Sequence, residues 1–121
     1  MAKFDDSLVA VTSRSFSTNQ FLVKKLKESY PNVSLNLTGK TLKDNELVKF
    51  LANADKAIVG IEIIDKDILD QLPKLKLISK YGVGLNNLDL GECKKRNIQI
   101  KFQPGSNKQS VAEFTLLLML N

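Results

Sequence analysis

The 121 residues are 43% apolar and 26% charged, a soluble globular balance that excludes bulk disorder and suits one domain with a sizeable core. There is no histidine and a single cysteine, Cys93, so intrachain disulfides, Cys/His zinc sites and Ser-His or Cys-His catalytic pairs are all excluded. The net charge of +5 is spread along the chain, and sixteen of the eighteen basic residues are lysines, with arginine only at 14 and 96. That pattern reads as a solvated lysine-rich surface and not as a nucleic-acid stripe.

In chain order, Leu8-Val9-Ala10-Val11 predicts a buried strand, apolar throughout. Thr18 to Ser29 has helical spacing, with Phe21, Leu22 and Leu26 inward, and Pro31 stops it. Val33, Leu35 and Leu37 alternate with polar residues, which predicts a half-buried edge strand. Asp44 to Ala54 is the next helix, carrying Leu47, Val48, Leu51 and Ala54 on one face. Ala57-Ile58-Val59 forms the third strand, ended by Gly60. Asp65 then caps a short helix with Ile68, Leu69 and Leu72, closed by Pro73.

Leu75, Leu77 and Ile78 mark strand four, followed by the turn Gly82-Val83-Gly84. Asp89 and Glu92 have capping-box spacing for a helix to Arg96. Ile98, Ile100 and Phe102 alternate as strand five, Pro104-Gly105 turns, and Ser110-x-x-Glu113 opens a last helix through Leu120. Its longest apolar stretch, Val111 to Leu120, is far too short to span a bilayer, and no signal peptide is present, so a cytoplasmic location is expected, with no membrane and no nucleic acid as partner.

Five strands alternating with helices predict an α/β, doubly wound parallel sheet in three layers. The most apolar strand is the first and the most alternating the second, which gives flavodoxin-like order 2-1-3-4-5. Ligands of such sheets sit at the carboxyl ends of the strands. The loops 12–18, 60–64, 80–87 and 103–109 should therefore share one rim.

On that rim, Ser79-Lys80-Tyr81-Gly82-Val83-Gly84-Leu85-Asn86-Asn87 holds two glycines about one residue. Backbone amides there can cradle a carboxylate or phosphate, although a tight strand-to-helix connection explains the same residues. A dinucleotide fingerprint would need a small third residue where Asn87 stands, and an acidic end to the next strand, where Lys101-Phe102-Gln103 stands. The hydroxyl-rich loop 12–18 could hold phosphate as flavodoxins do, but without glycine an ordinary capped loop serves as well. A receiver-type carboxylate at the end of strand three is replaced by Gly60. Cys93 reads as a small core residue. The helix 110–120 is apolar all round and needs cover that a single sheet layer does not supply, so the chain reads as a piece of something larger.

From Ala57 to Leu120 the sequence resembles the N-terminal substrate-binding domain of the D-isomer-specific 2-hydroxyacid dehydrogenases, in the phosphoglycerate-dehydrogenase-like branch. The resemblance is carried by Ile58-Val59-Gly60-Ile61-Glu62, by Leu75 to Leu90 with Lys80-Tyr81-Gly82-Val83-Gly84 at its centre, by Pro104-Gly105-Ser106-Asn107 and by Ser110-Val111-Ala112-Glu113. Val11-Thr12-Ser13-Arg14-Ser15-Phe16 is similar to the branch's first strand and loop.

The resemblance implies hydride transfer between C2 of a small anionic 2-hydroxy or 2-oxo acid and NAD or NADP. The dinucleotide fingerprint and the family's arginine, glutamate and histidine would lie in a second domain beyond residue 121, which would also cover helix 110–120. Residues 1–121 alone are then expected to be inactive and to bind no cofactor tightly, and the intact enzyme to be a homodimer. By the same resemblance Lys80, Tyr81, Gly82, Val83, Gly84 and Asn107 handle substrate, while Val83 and, more weakly, Lys108 lie near the cofactor. Gly60-Ile61-Glu62 lacks the arginine that several phosphoglycerate dehydrogenases place there, which leaves the substrate open. The competing expectation is a stand-alone interaction module on a dehydrogenase-derived scaffold.

Overall fold

A computed structural model describes residues 6–82 and 84–102. The order of elements is β1 (Val9–Val11), α1 (Arg14–Ser17), α2 (Gln20–Ser29), β2 (Val33–Leu35), α3 (Asp44–Leu51), β3 (Lys56–Val59), α4 (Lys66–Leu69), β4 (Leu77–Lys80), α5 (Leu90–Lys95) and β5 (Gln99–Lys101). The five strands form one sheet in the order β2-β1-β3-β4-β5, every pair parallel, as the strand pattern predicts. The last helix expected from the sequence, and Gln103 to Asn107 before it, lie outside the described residues.

Alternation along the strands divides the core between the two faces of the sheet. Val9, Val11, Ile58 and Leu77 pack under Phe16, Leu22, Leu26 and Tyr30, which come from α1, α2 and the end of α2. Ala10, Ala57, Val59 and Ile78 pack on the opposite side with Leu47, Leu51, Ile68, Leu69 and Cys93 from α3, α4 and α5. The result is three layers. Because β1, β3 and β4 are covered on both faces, they are buried almost throughout, and β1 and most of β3 read as continuous apolar runs, whereas edge strand β2 is only half-buried.

Several boundaries differ from the sequence-based expectation, each for a local reason. The stretch 12–18 is not a plain loop. Ser13 Oγ accepts from Phe16 N and closes the single turn α1, and Asn19 Oδ1 accepts from Leu22 N to start α2 two residues later than expected. That start turns Leu22 and Leu26 to the sheet and leaves Phe21 56% exposed, with the Lys25 ammonium 5.8 Å from its ring centroid. β2 ends at Leu35, and Leu37 is 68% exposed, because Asn36 bends the chain with its side-chain carbonyl accepting from Thr38 N. α3 stops at Leu51, β4 begins at Leu77 and not at Leu75, and β5 stops at Lys101, before Phe102.

The register pairs Ile58 with Ser79, so Ser79 faces the layer formed by Val11, Ile58 and Phe16. Its Oγ is buried and has no hydrogen-bond partner among the described residues. A lone hydroxyl in an apolar layer is destabilising by about 1 kcal/mol or more. Ser79→Ala is therefore expected to stabilise the chain by about 1 kcal/mol, read as a raised urea midpoint at unchanged slope. A lowered midpoint would show that the hydroxyl has a partner.

Candidate functional site

The carboxyl ends of β1, β3 and β4 meet at one rim, where a polar cluster sits on an otherwise apolar sheet. Thr12 follows Val11, whose partner is Ile58, and Lys80 pairs with Val59. Thr12, Val59 and Lys80 thus point to the same face. Thr12 Oγ1 donates to Glu62 Oε1 at 2.7 Å, and the Gly60 amide donates to the same oxygen at 3.0 Å. Asn87 Nδ2 donates to the carbonyls of Gly60, at 2.9 Å, and of Glu62, at 2.7 Å. Two further backbone bonds, Ile64 N to Asn87 O and Asp89 N to Ile64 O, zip the loop after β3 to the loop before α5.

Gly60 lies close to Ser13. A Cβ there would stand 3.2 Å from Ser13 Cβ and 3.4 Å from Ser13 Cα, so a side chain at the end of β3 would have to push Ser13 aside by a few tenths of an ångström. The acidic group comes instead from Glu62, two residues on. It is 2% exposed, while its neighbours Ile61 and Ile63 are 66% and 67% exposed, an inversion of the usual rule that apolar residues turn in. Sequence reasoning placed an acid on the rim but missed that it is buried and bonded. It also missed Thr12 and Asn87 as its framework.

Lys80 ends β4 and is 3% exposed. Burial lowers the pKa of its ammonium, and the field of the Glu62 carboxylate works in the opposite sense. Its Nζ lies 3.5 Å from where a Cβ on Gly82 would stand, and it makes no hydrogen bond to another described residue. Gly82 has φ +128° and Gly84 φ +84°, both conformations that L side chains rarely adopt. An ammonium on a largely buried lysine beside a glycine turn has the chemistry to take a small anion.

The other predicted residues fall as follows. The Tyr81 amide continues the pairing to Val59 O at 2.8 Å, but its side chain turns to the opposite face, edge-on to Phe16 with ring centroids 5.3 Å apart. Burial raises the pKa of its phenol. Lys80 and Gly82 are brought together; Val83, Asn107 and Lys108 lie outside the described residues. Cys93 is buried in the core and its thiol pKa is raised, first by burial. An open groove of about 580 Å³ runs between α2 and the β2 edge, lined by Val23, Lys27, Leu35 and Leu37, and includes none of Glu62, Lys80 or Gly82.

The turn does not fit a dinucleotide pyrophosphate. At the position where the fingerprint needs a small residue, Asn87 has a side chain committed to two carbonyls, and β5 ends in Lys101 where an acid would be needed for a ribose. Among the described residues, no helix is long and apolar enough to cross a membrane.

Comparison with known proteins bears on this geometry. Residues 9–116 match the family described as D-isomer specific 2-hydroxyacid dehydrogenase, catalytic domain. A hydroxypyruvate reductase of Thermotoga maritima is 33% identical over 87 residues, 71% of this chain and 28% of that protein. A glyoxylate reductase of Thermofilum pendens is 44% identical over 76 residues, 62% of this chain and 22% of that protein. Among solved structures, the pyruvate reductase of Chlamydomonas reinhardtii superposes with a TM-score of 0.70 at 19% identity, covering 98% of this chain and 35% of that one. The NAD+-bound 3-phosphoglycerate dehydrogenase of Entamoeba histolytica gives 0.65 at 22% identity, covering 79% and 32%. At these identities the structural likeness concerns the fold. The chain spans less than a third of the length of these two curated relatives.

Proposed function

Since this chain belongs to the D-isomer specific 2-hydroxyacid dehydrogenase family, we propose that it is the substrate-capturing domain of an NAD- or NADP-dependent enzyme acting on a small 2-hydroxy or 2-oxo acid. The observation that carries this reading is the buried Lys80 ammonium beside the Gly82–Gly84 turn, at the carboxyl ends of the central strands. In this reading the turn and Lys80 hold the substrate carboxylate. Tyr81 supports the turn from the far face, Val83 contributes an amide and borders the cofactor, Asn107 reaches the substrate and Lys108 lies near the cofactor. The nicotinamide would exchange the hydride with C2 of the acid, and the residues that hold it and handle the proton belong to a second domain after Asn121, so residues 1–121 alone do not turn over. Ile61 and Ile63 offer apolar surface on the same rim, where that domain would close. A homodimeric, cytoplasmic enzyme completes the proposal.

The test is a titration of the ¹⁵N-labelled chain with D-glycerate, followed through the Gly82 and Gly84 amides. Saturable shifts are expected. Lys80→Met should weaken the affinity about tenfold or more, the loss of one charge-assisted contact. Unchanged affinity in Lys80→Met would remove Lys80 from the site, and dehydrogenase turnover by residues 1–121 would overturn the two-domain division.

A further inference from the structure

We infer that Glu62 is a specificity-determining positioning residue, a fixed buried carboxylate that admits an acid with one negative charge and rejects one with two. The inference rests on the substrate-site reading above and adds to it the charge class of the substrate. Three observations support it.

One oxygen of the Glu62 carboxylate is held in place. Oε1 is held by Thr12 Oγ1 and by the Gly60 amide, and Asn87 pins the backbone on both sides of the loop at the carbonyls of 60 and 62. Glu62 and Lys80 are both nearly inaccessible to water, so their charges are weakly screened. The register sets Thr12 and Lys80 on one face of the sheet, and Glu62 is anchored to Thr12 with no hydrogen bond to Lys80, so it leaves the ammonium donors to a ligand.

The consequence is a matter of charge. Without ligand the pair is neutral. A monocarboxylate bound by Lys80 and the turn brings the cluster to one net negative charge, offset by the turn amides. A second anionic group on the same small molecule must then be held near a carboxylate that is fixed at one oxygen and largely withdrawn from water. Two like charges held near each other in a poorly hydrated site are a repulsive element of the kind that separates partners of the same shape. Glu62 need not touch substrate to act in this way; it sets the field in which Lys80 works.

The experiment compares D-glycerate with tartronate at pH 7.5. Tartronate has the same three-carbon 2-hydroxy acid skeleton, with a second carboxylate in place of the hydroxymethyl group. Dissociation constants are read from the Gly82 and Gly84 amides in the wild-type chain, in Glu62→Gln and in Lys80→Met, all at one ionic strength.

The wild type is expected to prefer D-glycerate by about tenfold or more. Glu62→Gln keeps an oxygen for Thr12 and Gly60 but removes the charge, and should bring the two ligands within about threefold while leaving D-glycerate binding measurable. A purely structural role for Glu62 would change both affinities together and leave their ratio alone, which would overturn the inference. Equal binding of the two ligands by the wild type would overturn it without any variant, should Glu62→Gln fail to fold. The underlying site reading fails separately, if Lys80→Met binds D-glycerate as the wild type does, or if the wild type does not bind it at all.

Discussion

Gly82→Val is expected to weaken D-glycerate binding about a hundredfold or more and to destabilise the chain by about 3 kcal/mol. Both effects follow from the backbone. At φ +128° a β-branched side chain collides with its own peptide groups, so the turn must either carry the strain or rearrange. The valine Cβ would also stand 3.5 Å from Lys80 Nζ, so its methyl groups would crowd that ammonium. The variant thus displaces the cation and the amide cradle together. Gly84→Ala supplies the contrast. Gly84 sits at φ +84° with nothing within 4 Å of the added Cβ, so alanine should cost about 1 kcal/mol and only a few-fold in binding. Urea unfolding and the same amide titration measure both quantities. Wild-type affinity in Gly82→Val would mean that the anion is held elsewhere.

The contrast between the two glycines also shows which parts of the site a linear reading can reach. Gly82, Gly84 and Lys80 lie within five residues, and the backbone freedom of glycine is a local property. The turn is therefore legible from local sequence alone. The strand order is legible for a related reason. Val9-Ala10-Val11 is apolar on both faces because β1 lies between β2 and β3, and Val33-Ser34-Leu35 alternates because β2 is an edge. Each strand's neighbours are written in its own residues.

Glu62 is different. Whether an acid between two isoleucines points out or in depends on donors supplied by Thr12, fifty residues earlier, and on Asn87, twenty-five later. Local pattern favours the isoleucines inward, and the tertiary hydrogen bonds reverse it. The same holds for the stretch 12–18. Its serines read as a loop because hydroxyls favour turns, yet Ser13 and Asn19 act as caps and convert that preference into α1 and the start of α2. Phe21 then falls outward because the Asn19 cap sets the helix phase, and that phase cannot be read from the spacing of Phe21, Leu22 and Leu26 alone.

Asn36 is the second residue of this kind, and Asn36→Leu is expected to cost about 3 to 5 kcal/mol. The side chain is buried and uses both ends. Nδ2 donates to Thr12 O at 2.9 Å and to Lys40 O at 3.0 Å, and Oδ1 accepts from Thr38 N at 3.1 Å and from Thr38 Oγ1 at 2.6 Å. It therefore ties the end of β1 to the segment after β2, and it delivers Leu42 to its place in the core. Leucine has similar bulk but no polar atom. It would leave the buried carbonyl of Thr12 with one partner fewer, and would release the turn at Thr38 and Lys40. Each buried polar group left without its partner costs about 1 to 3 kcal/mol, and losses within one network do not simply add, which bounds the total. Asn36→Asp separates the two ends of the side chain. It keeps the acceptors for Thr38 but points a carboxylate oxygen at two carbonyl oxygens, so at neutral pH it should be at least as damaging as leucine. Because Thr12 also holds Glu62, either change should loosen the rim as well as the fold, and the Gly60 amide should shift in both variants. A destabilisation below about 1 kcal/mol in Asn36→Leu would mean that water replaces the side chain at Thr12 and Lys40, and that the rim does not depend on this tie.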